Sequence, residues 1–460
     1  KLINFFAVHN IDFNKAWKAK QSGWHDQTRA IFANAEIGWK SMIYLTATGR
    51  NDWDSRLAFS DYKSFFYPSI GLSAILTSMF NAPDWLTYLK VRGSYTEVGN
   101  SYGRFMTTVT YPYDEQTQSW TSTSSYPNTK LKPERTKSWE VGLDARILND
   151  ISLNLTYYRS NTYNQTFYAD LSLSSGYSNI PIQSGNIMNE GLEMSLGYNK
   201  QWKDFSFNTN YTLTWNKNRV KRLADGVYNY ATGQPIQMPE LSPLTYGHTD
   251  ARLILRVGGS MGDVYGQRLL KRDLNGYILN EEGVGLAMEN KETYLGSILP
   301  KMNMGWSLGF GYKGVNLGMT FTGRFGGIVI SETQSVLDAA GVSKVSADVR
   351  DAGGVQINQS KVSAQTYYQT IQGTAAYYTY SATNVRLGEL SLSYTLPKKW
   401  FDNKVGMTVG LVGKNLWMIY CKAPFDPELT TSAASNFYQG FDAYMLPSTR
   451  NFGFNVKFQF

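Results

Sequence analysis

A hairpin with one apolar and one polar face constrains this chain more than any other feature. It lies between Leu131 and Ser160, where two runs of alternating residues flank a turn at Asn149-Asp150. Successive side chains of a strand point to opposite faces, so the pattern predicts a β-hairpin whose apolar face meets either a second sheet or lipid. The apolar positions are Trp139, Val141, Leu143, Ala145, Ile147, Ile151, Leu153, Leu155 and Tyr157.

The same alternation recurs along the chain and predicts about fourteen strands. Their connections alternate between short turns and long loops, and the longest loops are expected at about 100–135, 160–186, 217–300, 329–383 and 421–447. A soluble sandwich has no reason to place every long loop at one end, whereas an outer-membrane barrel has short periplasmic turns and long extracellular loops. The sequence therefore predicts an all-β, transmembrane antiparallel β-barrel fold that spans residues 1–460 as a single domain.

Composition agrees with a barrel. Charged residues make up only 17% of the chain and aromatic residues 15%. The positions opposite the apolar face are mostly Gly, Ser, Thr and Asn, which suit a wet or plugged lumen better than a soluble exterior. The mean hydropathy of −0.34 does not exclude a membrane wall, because barrel strands place apolar residues only at every second position.

Several other classes of protein are disfavoured. The net charge is +8, but the basic residues are scattered, so nucleic-acid binding is not predicted. Cys421 is the only cysteine, the three histidines lack metalloprotease spacing, and neither a P-loop nor a nucleophile elbow is present. We predict neither an enzyme nor a cofactor. Asp273 and Asn275 faintly resemble a calcium loop, but a simple Asn-Gly turn is the preferred interpretation.

Two groups of side chains are candidates for function. Aromatic residues in the long loops have flat faces and polar tips that suit sugar rings or peptide side chains, although packing between loops or against a lid is the alternative. They are Trp120, Tyr126, Tyr367, Tyr368, Tyr377, Tyr378, Tyr380, Phe437, Tyr438, Phe441 and Tyr444. Charged residues on the polar face are expected either to hold a plug in the lumen or to be solvated. They are Glu140, Asp144, Arg146, Glu193 and Lys457.

Several long segments resemble the SusC/RagA branch of the TonB-dependent outer-membrane transporters. They include LKPERTKSWEVGLDARILNDISLNLTYYRSNTYNQ, NEGLEMSLGYNKQWKDFSFNTNYTLTWNKNRV, GDVYGQRLLKRDLNGYILNEEG, YLGSILPKMNMGWSLGFGYKGVNLGMTFTGRFGG and NVRLGELSLSYTLPKKW. Together the similar segments run from about Arg29 to Phe460 in the order found in that family. No segment resembles the N-terminal plug domain of the family. The resemblance therefore implies that this chain is the C-terminal part of a larger barrel of the roughly 22-strand type.

The resemblance also implies a function. Members of this branch import a bulky nutrient, most often an oligosaccharide and secondly an oligopeptide, across the outer membrane of Gram-negative, Bacteroidetes-type bacteria. A SusD-like surface lipoprotein acts as a lid, and the TonB–ExbB–ExbD complex supplies energy through the plug. The wall would contact the lipid bilayer and lipopolysaccharide. A passive porin-type channel and a surface adhesin barrel remain open, and the sequence that precedes Lys1 would help to discriminate between them.

Overall fold

The protein is described by a computed structural model that covers residues 24–114, 119–183, 185–223, 240–281, 285–402, 404–429, 431 and 436–460. Its main feature is an antiparallel sheet of thirteen strands, which we call the wall, and each strand pairs with its neighbours in chain order. The predicted count of about fourteen is close to this number. The wall strands are β1 (Thr28–Trp39), β2 (Ile43–Asp54), β3 (Phe65–Ile75), β4 (Leu86–Asn100), β5 (Glu134–Ile147), β6 (Ile151–Tyr163), β7 (Asn186–Trp202), β8 (Phe205–Arg222), β9 (Met302–Tyr312), β10 (Val315–Phe325), β11 (Asn384–Leu396), β12 (Gly406–Cys421) and β13 (Asn451–Gln459).

The turns at one end of the wall are short. Lys313-Gly314 joins β9 to β10 with φ values of 44° and 90°, and two positive φ angles are what a two-residue hairpin turn of type I′ requires. The β5–β6 turn differs slightly from the prediction, because Ile147 pairs with Ile151 and the turn therefore includes Leu148. The other short connections are 40–42, 76–85, which contains helix α1 (Leu76–Met79), 203–204 and 397–405.

The wall has the two faces that the sequence predicts. Cross-strand register places Val141 opposite Tyr157 and Leu143 opposite Leu155 on one face, and Gly142 opposite Thr156 on the other. The apolar side chains of the first face are not covered by other parts of the described chain. Leu72, Val141, Leu392, Leu411 and Phe454 are all exposed. A continuous exposed apolar face of this extent is the surface that a transmembrane barrel presents to lipid.

The outermost strands of the wall are β1 and β13, and they do not pair with each other in the described part of the chain. Their residues are exposed along the whole length of both strands. Unpaired N–H and C=O groups are too costly in hydrocarbon, so these edges need further strands beside them in a membrane. This agrees with a wall that forms part of a larger barrel.

The long connections fold into a second body at the opposite end, which we call the cap. It comprises the described residues of 55–64, 101–133, 164–185, 223–301, 326–383 and 422–450. Part of the predicted 217–300 loop, residues 224–239, lies outside the described residues. Helices α2 (Glu332–Ala339), α3 (Lys344–Asp351) and α4 (Ala364–Thr370) each begin after a serine whose hydroxyl accepts a backbone N–H of the first turn, the preferred arrangement at a helix N-terminus.

The cap also contains short strands and single turns of 3-10 helix. Its largest sheet has four strands, Glu240–Thr245, Arg252–Arg256, Asp263–Leu270 and Met288–Ser297. A three-stranded sheet joins Ile328–Ser331 to Thr379–Ser381 and Phe441–Asp442, which come from two different loops. Two-stranded ribbons are formed by Tyr113–Asp114 with Ser119–Trp120, Thr166–Asp170 with Asn179–Gln183, Asn280–Glu281 with Gly285–Leu286, and Val355–Ile357 with Ser360–Val362. The 3-10 turns are Ser55–Leu57, Leu173–Ser175, Ala375–Tyr377 and Asn436–Tyr438 in the cap and Lys398–Phe401 at the other end.

Most of the buried apolar side chains lie in the cap or at its junction with the wall. One cluster contains Phe167, Ile182 and Val220, and a second contains Tyr246, Leu253, Ile298, Ile330 and Phe441. Two further clusters form around Tyr368, Ile371 and Tyr378 and around Leu57, Phe65, Tyr102 and Leu131. Among the residues that the structure describes, no helix has the length and apolar character to cross a membrane.

Candidate functional site

Five of the predicted aromatic residues lie close together in the cap, around helix α4 and the 3-10 turn Ala375–Tyr377. Tyr368 and Tyr378 are buried, and Tyr378 is only 2% exposed. Tyr367 packs edge-on against Tyr368 with ring centroids 5.2 Å apart, and the hydroxyl of Tyr377 accepts a hydrogen bond from the Leu270 N–H at 3.0 Å. These tyrosines therefore join two long loops to each other.

Burial also shifts the ionisation of this group. It raises the pKa values of Tyr367, Tyr368 and Tyr378, and it raises the pKa of Tyr380 to about 12, because a phenolate would lose its hydration. Tyr380 packs edge-on against Phe425 of the last loop at 5.6 Å. The Tyr378 hydroxyl is buried without a hydrogen-bond partner among the described residues. The four tyrosines whose pKa is raised are neutral at physiological pH.

Three more candidates form a second group in the last loop. Phe441 is 2% exposed, and its ring is tilted against that of Tyr246, with centroids 5.2 Å apart. Tyr246 belongs to the long loop between β8 and β9. Tyr438 approaches Tyr246 at 6.1 Å, and the Tyr246 hydroxyl donates to the carbonyl of Phe437 at 2.7 Å. This group holds two loops together that are almost two hundred positions apart in sequence.

The remaining three candidates are less enclosed. Trp120 is 70% exposed and lies 5.1 Å from Tyr113 on the adjacent strand of its ribbon. Tyr444 is 59% exposed and donates from its hydroxyl to Glu332 at 3.2 Å. Tyr126 is half-buried and packs edge-on against Tyr177 at 5.1 Å. Trp120 and Tyr444 are thus the two predicted residues with most of their surface free for a ligand.

The charged candidates lie on the inner face of the wall. Register places Glu140 opposite Tyr158, Asp144 opposite Asn154 and Arg146 opposite Ser152. Glu193 is opposite Thr214, and Lys457 is opposite Thr408 on the final strands. All five are therefore on the polar side, while contact with a plug stays a prediction.

Asp144 has partners that the sequence did not reveal. Arg92 of β4 donates to its carboxylate at 2.9 Å and to the Thr156 hydroxyl at 2.6 Å, and Asn154 also donates to Asp144. Arg92 passes over Gly142, where a Cβ atom would lie 2.5 Å from the guanidinium Nε. The glycine therefore leaves room for the Arg92 side chain, which links β4 to β5 and β6.

A second unpredicted network lies where the last loop meets the wall. Arg386 of β11 donates to both carboxylate oxygens of Asp426 at 2.7 and 2.9 Å, and it also contacts Glu428 at 3.4 Å. Asp426-Pro427-Glu428 lies in a turn, since the Leu429 N–H donates to the Asp426 carbonyl at 3.3 Å. The carboxylates of Asp426 and Glu428, both in this turn, therefore contact the buried guanidinium of Arg386.

The faint calcium-loop motif forms a tight turn. One carboxylate oxygen of Asp273 accepts the backbone N–H groups of Asn275 at 2.9 Å and Tyr277 at 2.8 Å, as Asx turns do. In the part of the chain that the structure describes, no group of three or more Asp, Glu, His or Cys side chains is arranged to hold a metal ion.

The structure also contains a cavity of mixed lining that the sequence did not predict. Its volume is about 500 Å³, and it lies between the upper end of β8 and the segments around Ser260 and Ser297. Asp263 is buried beside it and accepts hydrogen bonds from the Ser260 N–H at 2.8 Å and from the Tyr294 hydroxyl at 3.1 Å. Burial raises the pKa of Asp263. Gly258 and Gly259 also line the cavity, and no periodic pattern in the sequence connects them to it.

A sheet with a lipid-facing apolar side, a polar inner side and all long loops at one end defines an outer-membrane β-barrel protein. The family model described as TonB dependent receptor-like, beta-barrel matches residues 8–416. The chain belongs to this family, and the resemblance to its SusC/RagA branch is confirmed. This is a family of transporters and receptors of the outer membrane, not of enzymes.

Similarity to individual proteins supports this family assignment. TonB-dependent receptor P3 of Formosa agariphila is 25% identical over 468 residues, which cover 93% of this chain and 45% of the relative. TonB-dependent receptor SusC of Bacteroides thetaiotaomicron is 25% identical over 46% of this chain. The RagAB peptide importer in its open-open state is similar in fold, with a TM-score of 0.70, 21% identity and coverage of 94% of this chain and 46% of that chain. The chain spans about half the length of the receptor P3.

Proposed function

We propose that the protein containing this chain imports a bulky nutrient across the outer membrane with energy from TonB. The observation that carries the proposal is the combination of a wall of the TonB-dependent receptor family with a densely packed cap over its long-loop end. A passive porin needs an open path through its loops. A cap with several buried cores instead suits a gated route whose opening requires work.

The wall and cap would have separate tasks in this import. The inner face of the wall, with Glu140, Asp144, Arg146, Glu193 and Lys457, would contact a plug that TonB moves. The cap would receive substrate from a SusD-like lipoprotein lid. Trp120 and Tyr444 are the exposed candidates for contact with substrate or lid, whereas the buried tyrosines around Tyr378 would fix the shape of the cap.

An oligosaccharide is the first candidate substrate, as the resemblance to the SusC branch suggests. An oligopeptide is the second, and the likeness to a structure named as a peptide importer favours it specifically. The bacterium would be a Gram-negative, Bacteroidetes-type species, like the sources of the Formosa and Bacteroides relatives.

Uptake measurements test this proposal. A strain that lacks the receptor is complemented with the full-length protein and offered labelled oligosaccharides and oligopeptides, with and without a protonophore. We expect one substrate class to enter and its uptake to stop when the proton-motive force is removed. Uptake that is insensitive to the protonophore would indicate a porin, and binding without uptake would indicate an adhesin.

Aromatic variants test the substrate-facing residues. Trp120→Ala and Tyr444→Ala should each lower uptake by about fivefold, because the loss of one stacking contact is worth about 1 kcal/mol. Trp400→Ala is the matched control, since Trp400 is also exposed but lies in the short connection at the opposite end of the wall. Equal uptake by all three variants would remove Trp120 and Tyr444 from the site.

A further inference from the structure

A row of hydroxyl and amide side chains crosses the inner face of strands β1 to β4. Arg92 of β4 is opposite Gly142, which lies on the polar side of the wall. Residues four apart on a strand share a face, so Thr96 also points to the lumen. Cross-strand pairing continues this row as far as β1. The row consists of Thr96, Ser69, Thr48 and Asn34.

The next row toward the cap has a different composition. Phe32 of β1 is opposite Arg50 of β2, and Arg50 is opposite Tyr67 of β3. Val98 of β4 follows Thr96 by two positions and therefore shares the inner face. Phe32 is 73% exposed and Val98 is 51% exposed, although this face otherwise consists mostly of small polar residues. An aromatic ring thus stands free on the lumen side of the wall.

Arg50 is held in a fixed orientation between the two aromatic residues. Its Nε donates to Asp52 at 2.6 Å and its Nη2 at 3.2 Å. The Tyr67 hydroxyl donates to the same carboxylate at 2.9 Å, and Asp52 is buried. The Arg50 side chain remains 45% exposed, so further N–H groups of its guanidinium are available to a ligand.

Both rows line one cavity of about 420 Å³, a volume within the range of roughly 300–1,000 Å³ that is typical of small-molecule sites. The hydroxyl groups of Ser69 and Thr96 lie 3.1 Å apart in its floor. An exposed ring beside hydroxyl, amide and guanidinium groups matches a sugar, which has an apolar ring face and hydroxyls that both donate and accept hydrogen bonds.

The charges around this cavity are already paired. Arg50 is paired with Asp52, and Glu97 at the edge of the cavity is paired with Arg135 at 3.2 Å and Lys137 at 3.3 Å. A carboxylate or an ammonium group of a ligand would therefore meet no unpaired counter-charge among the lining residues. This favours a neutral sugar over an acidic sugar or a charged peptide.

We propose that this cavity is a subsite for a neutral sugar unit on the lumen side of the wall. The inference rests on the proposed import function and assigns an oligosaccharide to it. Phe32 stacks on the ring face, Asn34 and Thr48 bind hydroxyl groups, and Arg50 donates from the side. Phe32 lies nearer to the cap end of β1 than to its short turn, so a sugar chain that leaves the cap reaches this level first.

Calorimetric binding to the full-length receptor in detergent tests this proposal. The probes are neutral hexasaccharides of glucose, xylose and mannose, a hexamer of galacturonate, and a pool of decapeptides. Phe32→Ala removes the exposed ring, and Phe32→Trp restores a ring of a different shape. Tyr44→Ala is the matched control, because Tyr44 is an aromatic residue on the same face of β2 but lies opposite Gly38 near the short turn.

We expect the wild type to bind at least one neutral hexasaccharide and Phe32→Ala to bind it about tenfold more weakly, or about 1.4 kcal/mol. Tyr44→Ala and Phe32→Trp should bind it like the wild type, whereas a residue needed only for packing would not tolerate the larger ring. Heat-modifiable gel migration verifies folding, and Thr48→Val, with an expected loss of about threefold, serves if Phe32→Ala does not fold.

Equal binding by Phe32→Ala and Tyr44→Ala would overturn the proposal. So would a wild type that binds no neutral hexasaccharide, or one that prefers the galacturonate hexamer or the peptides. Uptake of the bound sugar with and without a protonophore separates this proposal from the import function. Protonophore-sensitive uptake with no effect of Phe32→Ala on binding would remove the subsite alone, and insensitive uptake with weakened binding would remove TonB-driven import alone.

Discussion

The wall and the cap both contain antiparallel strands, yet they place their apolar side chains in opposite ways. In the cap, Leu253, Ile330 and Tyr246 are fully buried against other loops. In the wall, Leu411, Leu392 and Phe454 have no covering layer. The difference reflects the surroundings: the cap must make its own core in water, whereas lipid covers the wall.

The largest expected difference between the cap and the wall is the free-energy cost of truncating an apolar side chain. Leu253→Ala should destabilise the cap by about 2–5 kcal/mol, because it removes a fully buried side chain and leaves a void. Leu411→Ala is the matched control, since Leu411 is 64% exposed and its loss leaves no protein cavity. Hydrogen exchange of the full-length protein should show faster exchange in the four-stranded cap sheet for Leu253→Ala alone. Equal effects would mean that cap and wall are packed alike.

A charge on the wall should distinguish its two faces. Met194→Arg places a cation near the middle of the outer face and should cost about 2–4 kcal/mol in a membrane. Ser195→Arg changes the neighbouring residue, which points to the polar side, and should cost much less. Urea titration followed by heat-modifiable gel migration measures the folded fraction of each variant. A greater loss for Ser195→Arg would reverse the assignment of the faces.

A substitution with a smaller expected effect should weaken the connection between the cap and the wall. Asp426→Asn removes the charged partner of buried Arg386, although Glu428 remains within reach, so we expect a loss of about 1.5–3 kcal/mol. Limited proteolysis should then cut the last loop faster. Asp402→Asn, at an exposed position in the short connection before β12, controls for the change in charge and should leave the cleavage rate unchanged.

Alkaline pH should affect the cap in a predictable direction. The folded pKa of Tyr380 is raised to about 12, so between about pH 10 and pH 12 the unfolded tyrosine loses its proton while the folded one keeps it. Stability is therefore fully present below about pH 10 and falls as pH rises. Tyr380→Phe should reduce this loss and remove a component from the ultraviolet titration near pH 12. Tyr111→Phe, an exposed cap residue, is the control; an identical titration for Tyr380→Phe and the parent would contradict the assignment.

The wall was largely predictable from the sequence because the alternation that defines its strands is visible in neighbouring residues. A period of two residues identifies each strand and its faces, and the Lys313-Gly314 turn is visible in the sequence itself. The small deviations are also local. The β5–β6 turn includes Leu148 in addition to Asn149-Asp150. Strand β8 continues past Trp215 to Arg222, because its upper end pairs with β7 instead of entering a loop.

The cap was not predictable in the same way, because its contacts join residues that are far apart in sequence. Phe441 meets Tyr246, and Arg386 meets Asp426, through packing that no periodic pattern records. The aromatic loop residues were recognised as important, but the sequence could not separate buried Tyr378 from exposed Trp120. The cavity beside Asp263 was missed for the same reason, since three loop segments and a strand end form it.

The orientation of the wall in the outer membrane is the central claim, and cysteine labelling in intact cells tests it most directly. In a Cys421→Ser background, Leu274→Cys places a thiol on an exposed position of the cap, and Lys313→Cys places one in a short turn. A maleimide that cannot cross the outer membrane should label Leu274→Cys in intact cells and Lys313→Cys only after permeabilisation. Labelling of Lys313→Cys but not of Leu274→Cys in intact cells would contradict the account.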